Sequence, residues 1–546
     1  MSGGLCGSSP PPGVRRAAIR AWAIVLFCCV CLAWLVPDGA DATPRGGIAS
    51  TGGWGGPPSE STADHTKFEE LEGPFPDGPS VTEACLHCHT NAAKQLHDTT
   101  HWTWHYDNER SGQMDLGKRN VVNNFCISIE SNWPRCTSCH IGYGWEDDSF
   151  DFTSETAVDC LVCHDTTGTY HKVPTEAGRP DPAIDLVEVA RNVGPTSREN
   201  CGACHFNGGG EDGVKHGDLD TSLNEPDFAL DVHMDAEGLN FSCATCHTTG
   251  GHEVTGSRYA PNALDRVGID YPGHTDDTRA TCESCHGLEP HPDNSKLNDH
   301  TDRVACQTCH IPEYARGERL TKVGWDWSTA GRLDEDGSPI TIRDERGYIL
   351  YTSKKGDFAW ASNMTPEYRW FNGIVEYVRM GETIDPSGTV TINTPSGDVD
   401  DPDARIWPFK VMRSRQPYDV GHSVLALPHV FGKDDTSFWN NFDWPKALEA
   451  GMAAQPIRFS GDYDFVETET YWPITHMVAP KEDAVGCNEC HTKGGRLGAL
   501  TGFYMPGRDT YPWLTLIGWS LAGLTLLGTI VHGLVRLIAT LRRRAG

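Results

Sequence analysis

Basic residues are scarce in this chain: 45 Lys and Arg stand against 75 Asp and Glu, a formal net charge of −30. So acidic a body repels nucleic acid, and leaves its surface to be read as a solvated face or as a docking face for basic proteins. A fixed repeat is also missing. Its most frequent short motif first recurs at steps of 51, 24, 41, 42, 39 and 24 residues, which excludes a solenoid of equal units. Chain between motifs is short as well. About 30 residues per motif cannot enclose a conventional core, so something other than side chains must supply much of the buried apolar material.

Cysteine, by contrast, is abundant, with 21 copies. Sixteen of them form eight Cys-x-x-Cys-His motifs. In chain order these are Cys85, Cys88 and His89; Cys136, Cys139 and His140; Cys160, Cys163 and His164; Cys201, Cys204 and His205. Then follow Cys243, Cys246 and His247; Cys282, Cys285 and His286; Cys306, Cys309 and His310; and Cys487, Cys490 and His491. Two thiols three positions apart can add to the two vinyl groups of a haem, and the next residue then offers an imidazole to the iron. Zinc would use two Cys-x-x-Cys pairs in one tetrahedral site, but gives no reason for a histidine after every pair. The motifs therefore predict eight covalently bound haem c groups with those eight histidines as proximal iron ligands.

Both ends carry targeting signals. Residues 1–42 read as a signal peptide, with Arg15, Arg16 and Arg20 before "AWAIVLFCCVCLAWLV" and an "ADA" ending at Ala42. Cys6, Cys28, Cys29 and Cys31 leave with it. At the other end "WLTLIGWSLAGLTLLGTIVHGLVRLI" predicts a transmembrane anchor over 513–535, and Arg536, Arg542, Arg543 and Arg544 make 536–546 a cytoplasmic basic tail. The body is then expected on the periplasmic side of a bacterial inner membrane. A buried core helix is the alternative for this segment. His532 inside the span reads either as a ligand shared with a partner or as an interfacial residue.

Between the ends, 43–80 is rich in Gly, Pro and Ser and reads as a flexible leader. Residues 81–310 hold seven motifs, and short helices and loops are expected to wrap a haem stack there. In 311–470, "SPITIRDERGYILYTS" and "GTVTINTPSGDV" alternate as strands do, predicting a small β-containing insertion. "DWPKALEAGM" suggests a helix, and 471–505 brings in the eighth haem. The fold class is thus a multihaem cytochrome c, mostly short α-helices and loops around haems, with a β insertion before the last and a C-terminal transmembrane helix.

A haem with two protein ligands carries electrons, whereas one with an exchangeable position can act on a substrate. Setting aside the proximal set, His65 in the leader and His532, enough histidines remain for every distal position. The best placed are His101, His171, His216, His233, His252, His291, His300, His422 and His476, though some of these will be ordinary surface or core histidines. Between His105 and Cys139 there is none. "GQMDLGKRNVVNNFC" offers Asp115, Lys118 and Cys126 instead. Lysine ligates iron only when neutral, and its ordinary pKa is about 10.4, so such a ligand is more easily displaced by substrate than histidine. Asp115, three residues earlier, could share a helical face with Lys118 and relay protons; a plain surface Asp–Lys pair is the alternative. Cys126 is either an inert leftover thiol or one placed beside a haem to hold a sulfur substrate.

Together "HWTWH", "GKRNVVNNFCI", "RCTSCHIGYGW", "VDCLVCHDTTGTYH" and "PITHMVAP" ahead of "CNECH" resemble the octahaem tetrathionate reductase family of c-type cytochromes, from Cys85 to His491. The resemblance implies that haem 2, on Cys136, Cys139 and His140, is the active one, with Lys118 as its distal ligand, Asp115 nearby and Cys126 as an active-site thiol. It implies reduction of tetrathionate to thiosulfate, or of nitrite and hydroxylamine to ammonia, with electrons from a quinol-linked or cytochrome donor in the inner membrane. Lys410 in "WPFKVM" is a candidate for a cationic cluster around the anionic substrate. The membrane tail departs from the soluble form of that family. Two rivals stand beside this reading. One is an octahaem hydroxylamine oxidoreductase, whose long helical region after the last motif has no room in the 55 residues after His491. The other is an electron conduit with every haem closed by histidine.

Overall fold

The structure, a computed structural model, describes residues 63–123, 128–208, 211–270 and 280–546. The expected signal peptide, most of the leader and Cys126 lie outside the described residues.

Each motif forms a single turn of helix or the last turn of a short one. Gly78–Leu86 carries Cys85, Cys136–Cys139 is a 3-10 turn, and Leu161–His164, Arg198–His205 and Cys243–Cys246 follow. Glu283–His286, Cys306–His310 and Cys487–Cys490 complete the set. One turn is what the chemistry requires, since it brings two thiols three residues apart to one side. Helices this short do not persist alone in water. Local caps help start the longer ones: Asp77 accepts from Ser80 N at 3.0 Å, and Ser197 and Asn200 form a reciprocal capping box. Two small hairpins lie among them, β1 (Tyr106–Asn108) with β2 (Gln113–Leu116) and β3 (Thr249–Gly250) with β4 (Glu253–Val254).

The β region is larger than the small insertion expected. Ten strands form one sheet: β5 (Thr321–Asp326), β6 (Thr341–Arg343), β7 (Ile349–Thr352), β8 (Gly356–Ala361), β9 (Glu367–Phe371), β10 (Val375–Tyr377), β11 (Val390–Pro395), β12 (Arg405–Asp419), β13 (Val424–Leu425) and β14 (Tyr463–Pro473). Its spine is β12, which pairs antiparallel with β14 from Phe409–Pro473 to Asp419–Tyr463 and parallel with β5. This strand hid in the sequence because its first eight residues are all buried, which erases the period-two alternation, and because it contains Pro408 and Pro417. Trp325, Trp327, Phe358, Met412, Leu448 and Trp472 pack one core of the sheet; Phe371, Trp407, Phe409 and Tyr471 belong to a second. The helix Trp444–Ala453 lies on the first, and Gly451 allows the approach: a Cβ there would stand 1.8 Å from Leu427 O.

At the N-terminal side, structure begins inside the expected leader. His65–Lys67 and Glu69–Leu71 are 3-10 turns, with Leu71 buried. At the far end the expected span and basic tail are one helix, Pro512–Ala545, with 34 residues and a mean hydropathy of 1.8 over its apolar window. At 1.5 Å per residue it is about 50 Å long, more than enough to cross a hydrocarbon core of about 30 Å.

Asp419 closes the β12 end of the sheet. Its buried carboxylate accepts from Gly421 N (2.8 Å), Ser460 N (2.8 Å), His422 N (3.2 Å) and His422 Nδ1 (2.9 Å). Burial would raise its pKa, but the bonds from Ser460 and His422 outweigh it and hold the group at about 2. Because the folded-state value is depressed, the stabilisation is complete above pH 4 or so and is lost as pH falls toward 2. Asp419→Asn is expected to cost about 1–3 kcal/mol in denaturant titration at neutral pH, and to flatten the acid limb of the stability curve.

Candidate functional site

The motif turns touch one another in an order that is not the order of sequence. Cys85 of motif 1 meets Cys160 of motif 3, and Cys201 of motif 4 meets Cys243 of motif 5. Cys246 lies within electrostatic reach of Cys285, Cys282 meets Cys306, and Cys309 lies within reach of Cys490. Cys163 and Cys201 are likewise near neighbours. Motifs 1, 3, 4, 5, 6, 7 and 8 thus form a line. Motif 2 joins it from the side, with Cys204 Sγ 3.9 Å from Cys139 O.

Facing imidazoles give a test of whether these residues fit haem. Two nitrogens on one iron at about 2 Å each, with roughly 1.1 Å from nitrogen to ring centre, put the two ring centres about 6.2 Å apart. His65 and His89 stand at 6.3 Å, His101 and His205 at 6.2 Å, His476 and His247 at 6.3 Å. His233 and His286 stand at 5.9 Å, and both His291 with His310 and His300 with His491 at 6.1 Å. Six pairs therefore have the spacing that axial ligation needs. For motif 3, His252 lies within electrostatic reach of His164.

Outer contacts set the tautomer. The Nδ1–H groups of His164, His247, His491 and His300 donate to the carbonyls of Gly194 (2.9 Å), Thr255 (2.8 Å), Pro506 (2.9 Å) and Lys296 (2.6 Å). A carbonyl can only accept, so the lone pair is left on Nε2, the nitrogen an iron needs. His476 Nδ1 donates instead to the buried carboxylate of Asp218 at 3.2 Å.

Three of the candidate distal histidines stand elsewhere. His171 bonds Asp181 at 3.2 Å, His422 bonds Asp419, and His216 packs edge-on against Trp472 with ring centres 4.9 Å apart. His65, set aside with the leader, faces His89. The signal that could have found it is the "DHTK" cap, in which Asp64 accepts from Thr66 N at 3.1 Å and starts the turn that carries His65.

Motif 2 differs from the rest. His140 is fully buried, and the rings around it are Trp102, Trp104, Trp145, Phe150 and Phe152, at 4.8–6.1 Å. Burial pushes its imidazole down to about 3, so the ring is neutral. Nε2 donates to Trp102 O at 2.7 Å and Nδ1 is buried without a partner. Lys118 reaches into the same cage, its Nζ 4.2 Å from the centre of Trp104. The approach depends on Gly117, where φ is +129° and a Cβ would lie 2.0 Å from Trp104 O.

Asp115 is not a helical neighbour of Lys118. It lies in β2, its N–H donates to Asp107 at 2.7 Å, and its carboxylate receives His105 Nε2 (3.0 Å) and Asn120 Nδ2 (2.9 Å). The arrangement still links a carboxylate to an imidazole, both of them exposed. The reading of Cys126 falls outside the described residues.

Four cations near motif 2 were not singled out from the sequence. Arg119 lies over Trp145 at 5.5 Å, and Lys172 bonds the buried Asp159 at 3.0 Å and the His140 carbonyl. Lys215 and Arg258 share Trp472, at 5.2 and 4.6 Å from its ring. Among the described residues Lys118, Arg119, Lys215 and Arg258 have no carboxylate within 4 Å, in a chain with 30 more acids than bases. Burial, and behind it the charges of Arg258 and Lys118, push the Lys215 ammonium well below the usual lysine range. Lys410 is not free to join them. Its Nζ donates to Val214 O (2.8 Å), Lys215 O (3.0 Å) and Thr321 Oγ1 (2.5 Å), so it positions the Lys215 segment.

Known proteins match this arrangement. A family model described as bacterial cytochrome c matches residues 322–494, which carry most of the sheet and motif 8. An uncharacterized protein from Archaeoglobus fulgidus is 26% identical over 254 residues, 37% of this chain and 82% of that one. The crystal structure of octaheme cytochrome c from Shewanella oneidensis is 44% identical and superposes with a TM-score of 0.73, covering 83% of this chain and 98% of that one. With that identity across nearly the whole of a solved relative, and with six imidazole pairs at axial spacing, the chain belongs to the octahaem cytochrome c family.

Proposed function

We propose that this protein is a membrane-anchored octahaem reductase acting at motif 2, which splits tetrathionate to two thiosulfates, reduces nitrite and hydroxylamine to ammonia, or does both. One observation carries the reading. Six proximal histidines face another imidazole at axial distance and a seventh has one within reach, whereas His140 is ringed by aromatic side chains with Lys118 among them. Each haem, when bound, supplies a one-electron couple.

The chain's own residues do the rest. Cys136, Cys139 and His140 would hold the group, His140 Nε2 giving up its bond to Trp102 O to do so. Lys118, held over the Trp104 ring, would stand on the open side of that group, where a substrate could take its place. Trp102, Trp104 and Trp145 exclude water and sharpen every charge interaction inside. Arg119, Lys215 and Arg258 attract an anion and hold it near Lys118. Protons reach the site from the surface through Asp115 and His105, whose side chains touch at 3.0 Å. The N-terminal segment directs export, the body works in the periplasm, and a quinol-linked or cytochrome donor of the inner membrane supplies electrons.

Full-length protein in detergent, with reduced viologen as donor, tests the reading against tetrathionate, nitrite and hydroxylamine. Lys118→Leu is expected to lower turnover by about tenfold or more and to alter the optical and EPR signature of a single haem. Equal rates and identical spectra in the two proteins would remove motif 2 as the site and leave an electron conduit. For the axial set, His65→Ala is expected to convert one low-spin haem to a high-spin, carbon monoxide-binding form while leaving that turnover signature in place. No new high-spin signal would place the distal ligand of motif 1 elsewhere.

A further inference from the structure

Motif 8 lies next to the apolar helix, and the segment between them is a built collar. His491 Nδ1 donates to Pro506 O at 2.9 Å. Gly507, at φ +84°, then presses its backbone onto the same histidine: a Cβ there would stand 2.1 Å from His491 O. Arg508 donates to the carbonyls of Leu497 (3.2 Å), Leu500 (2.6 Å) and Phe503 (2.8 Å) and pairs with Asp509 at 2.8 Å. Asp509 receives Met505 N at 2.7 Å, and its own N–H donates to Met505 O at 2.9 Å. Leu497 and Met505 are buried against Tyr368 and Ile406, which fastens the collar to the sheet. Tyr504 and Tyr511 stack at 5.3 Å with Trp513 beside them, an aromatic group of the kind that sits at a bilayer surface.

Length then limits where motif 8 can be. The chain leaves His491 at Pro506 and enters the helix at Pro512, six residues that span at most about 21 Å when fully extended. Localising the protein would need only a loose tether, and a loose tether needs none of these bonds. Motif 8 also ends the line of motif contacts, and motif 1, the other end, is held by the opposite terminus of the chain.

We propose that the collar 492–511 holds motif 8 at the membrane surface as the face where a one-electron donor confined to the bilayer delivers its electrons. This rests on the reading of the protein as a membrane-anchored redox protein, but not on which substrate it reduces. The test accordingly reads haem absorbance with no substrate present. Full-length holoprotein in phosphatidylcholine liposomes is compared with a variant carrying about twenty flexible Gly-Ser residues between Asp509 and Thr510, and with Arg508→Gln. The donors are reduced hexadecyl viologen, held in the bilayer, and water-soluble methyl viologen.

The insertion is expected to slow reduction by the lipid-held donor about tenfold or more through the lost proximity, and to leave reduction by methyl viologen unchanged. Arg508→Gln, which loosens the collar without lengthening it, should fall between. A photoactivatable phosphatidylcholine gives a readout independent of electrons. It should label residues around 487–493 in the native chain and lose them in the insertion variant. Unchanged reduction by the lipid-held donor in the insertion variant, or label on the motif 1 face in the native chain, would overturn the proposal. Failure to turn over any substrate would touch only the reductase reading.

Discussion

Pairs of imidazoles facing each other at the spacing an iron between them would need are the constraint that organises the rest of this structure. The first nitrogen is local, because the histidine after each Cys-x-x-Cys turn is delivered by the same turn that aligns the thiols. The second must be brought from elsewhere, to a ring separation of about 6.2 Å. Helices of four to nine residues cannot hold that tolerance by themselves. Long-range elements do so: the sheet end at β14 carries His476 to His247, and the helix Ser295–Thr301 presents His300 to His491. Backbone carbonyls then lock His247, His300 and His491 by accepting from Nδ1, so that these two pairings are fixed in orientation as well as distance.

This separation of local from long-range explains what could be read in the sequence. The eight proximal sites were legible because their whole geometry lies within five consecutive residues. Lys118 could be named as a basic side chain in a stretch without histidine, with a surface pair as the alternative until the family resemblance implied a role, and the structure places it over Trp104. His101, His233, His291, His300 and His476 could be named as candidates, but nothing local distinguishes them from His171 or His422, which bond the carboxylates of Asp181 and Asp419. His65 was missed because the composition around it resembles a linker, although one capped turn is enough to place an imidazole. β12 was hidden by its double burial and its two prolines. Asp115 shows the same limit at short range: its spacing from Lys118 fits a helix, but the positive φ of Asp115 and Gly117 turns the chain and sends the carboxylate to His105.

Charge is organised with similar economy. The chain is strongly acidic, but among the described residues Lys118, Arg119, Lys215 and Arg258, with no carboxylate within 4 Å, stand where motif 2 meets the sheet. Two lysines there have different tasks. Lys410 spends all three of its donors on Val214, Lys215 and Thr321 and serves as a strut. That strut leaves Lys215 projecting beside Arg258 over the Trp472 ring, with no carboxylate within 4 Å among the described residues. Burying like charges together is costly unless an anion joins them, and an aromatic face compensates only a small part of that cost. The arrangement favours an occupant of negative charge.

The position of motif 2 beside the line, instead of within it, completes the physical picture. A centre that must admit a substrate needs an open side, and a motif flanked by neighbours at both ends would have little room for one. Motif 2 touches the line through Cys139 and Cys204, and the tryptophan cage, Lys118 and the cations stand around it. The cage also insulates. Trp102 and Trp145 separate His140 from water, so a change in charge at this centre is felt by Lys118 and Lys215 at close range and hardly by the solvent. Seven motifs in a line of contacts and one beside it therefore give motif 2 surroundings that the other motifs lack, and those surroundings are aromatic and cationic.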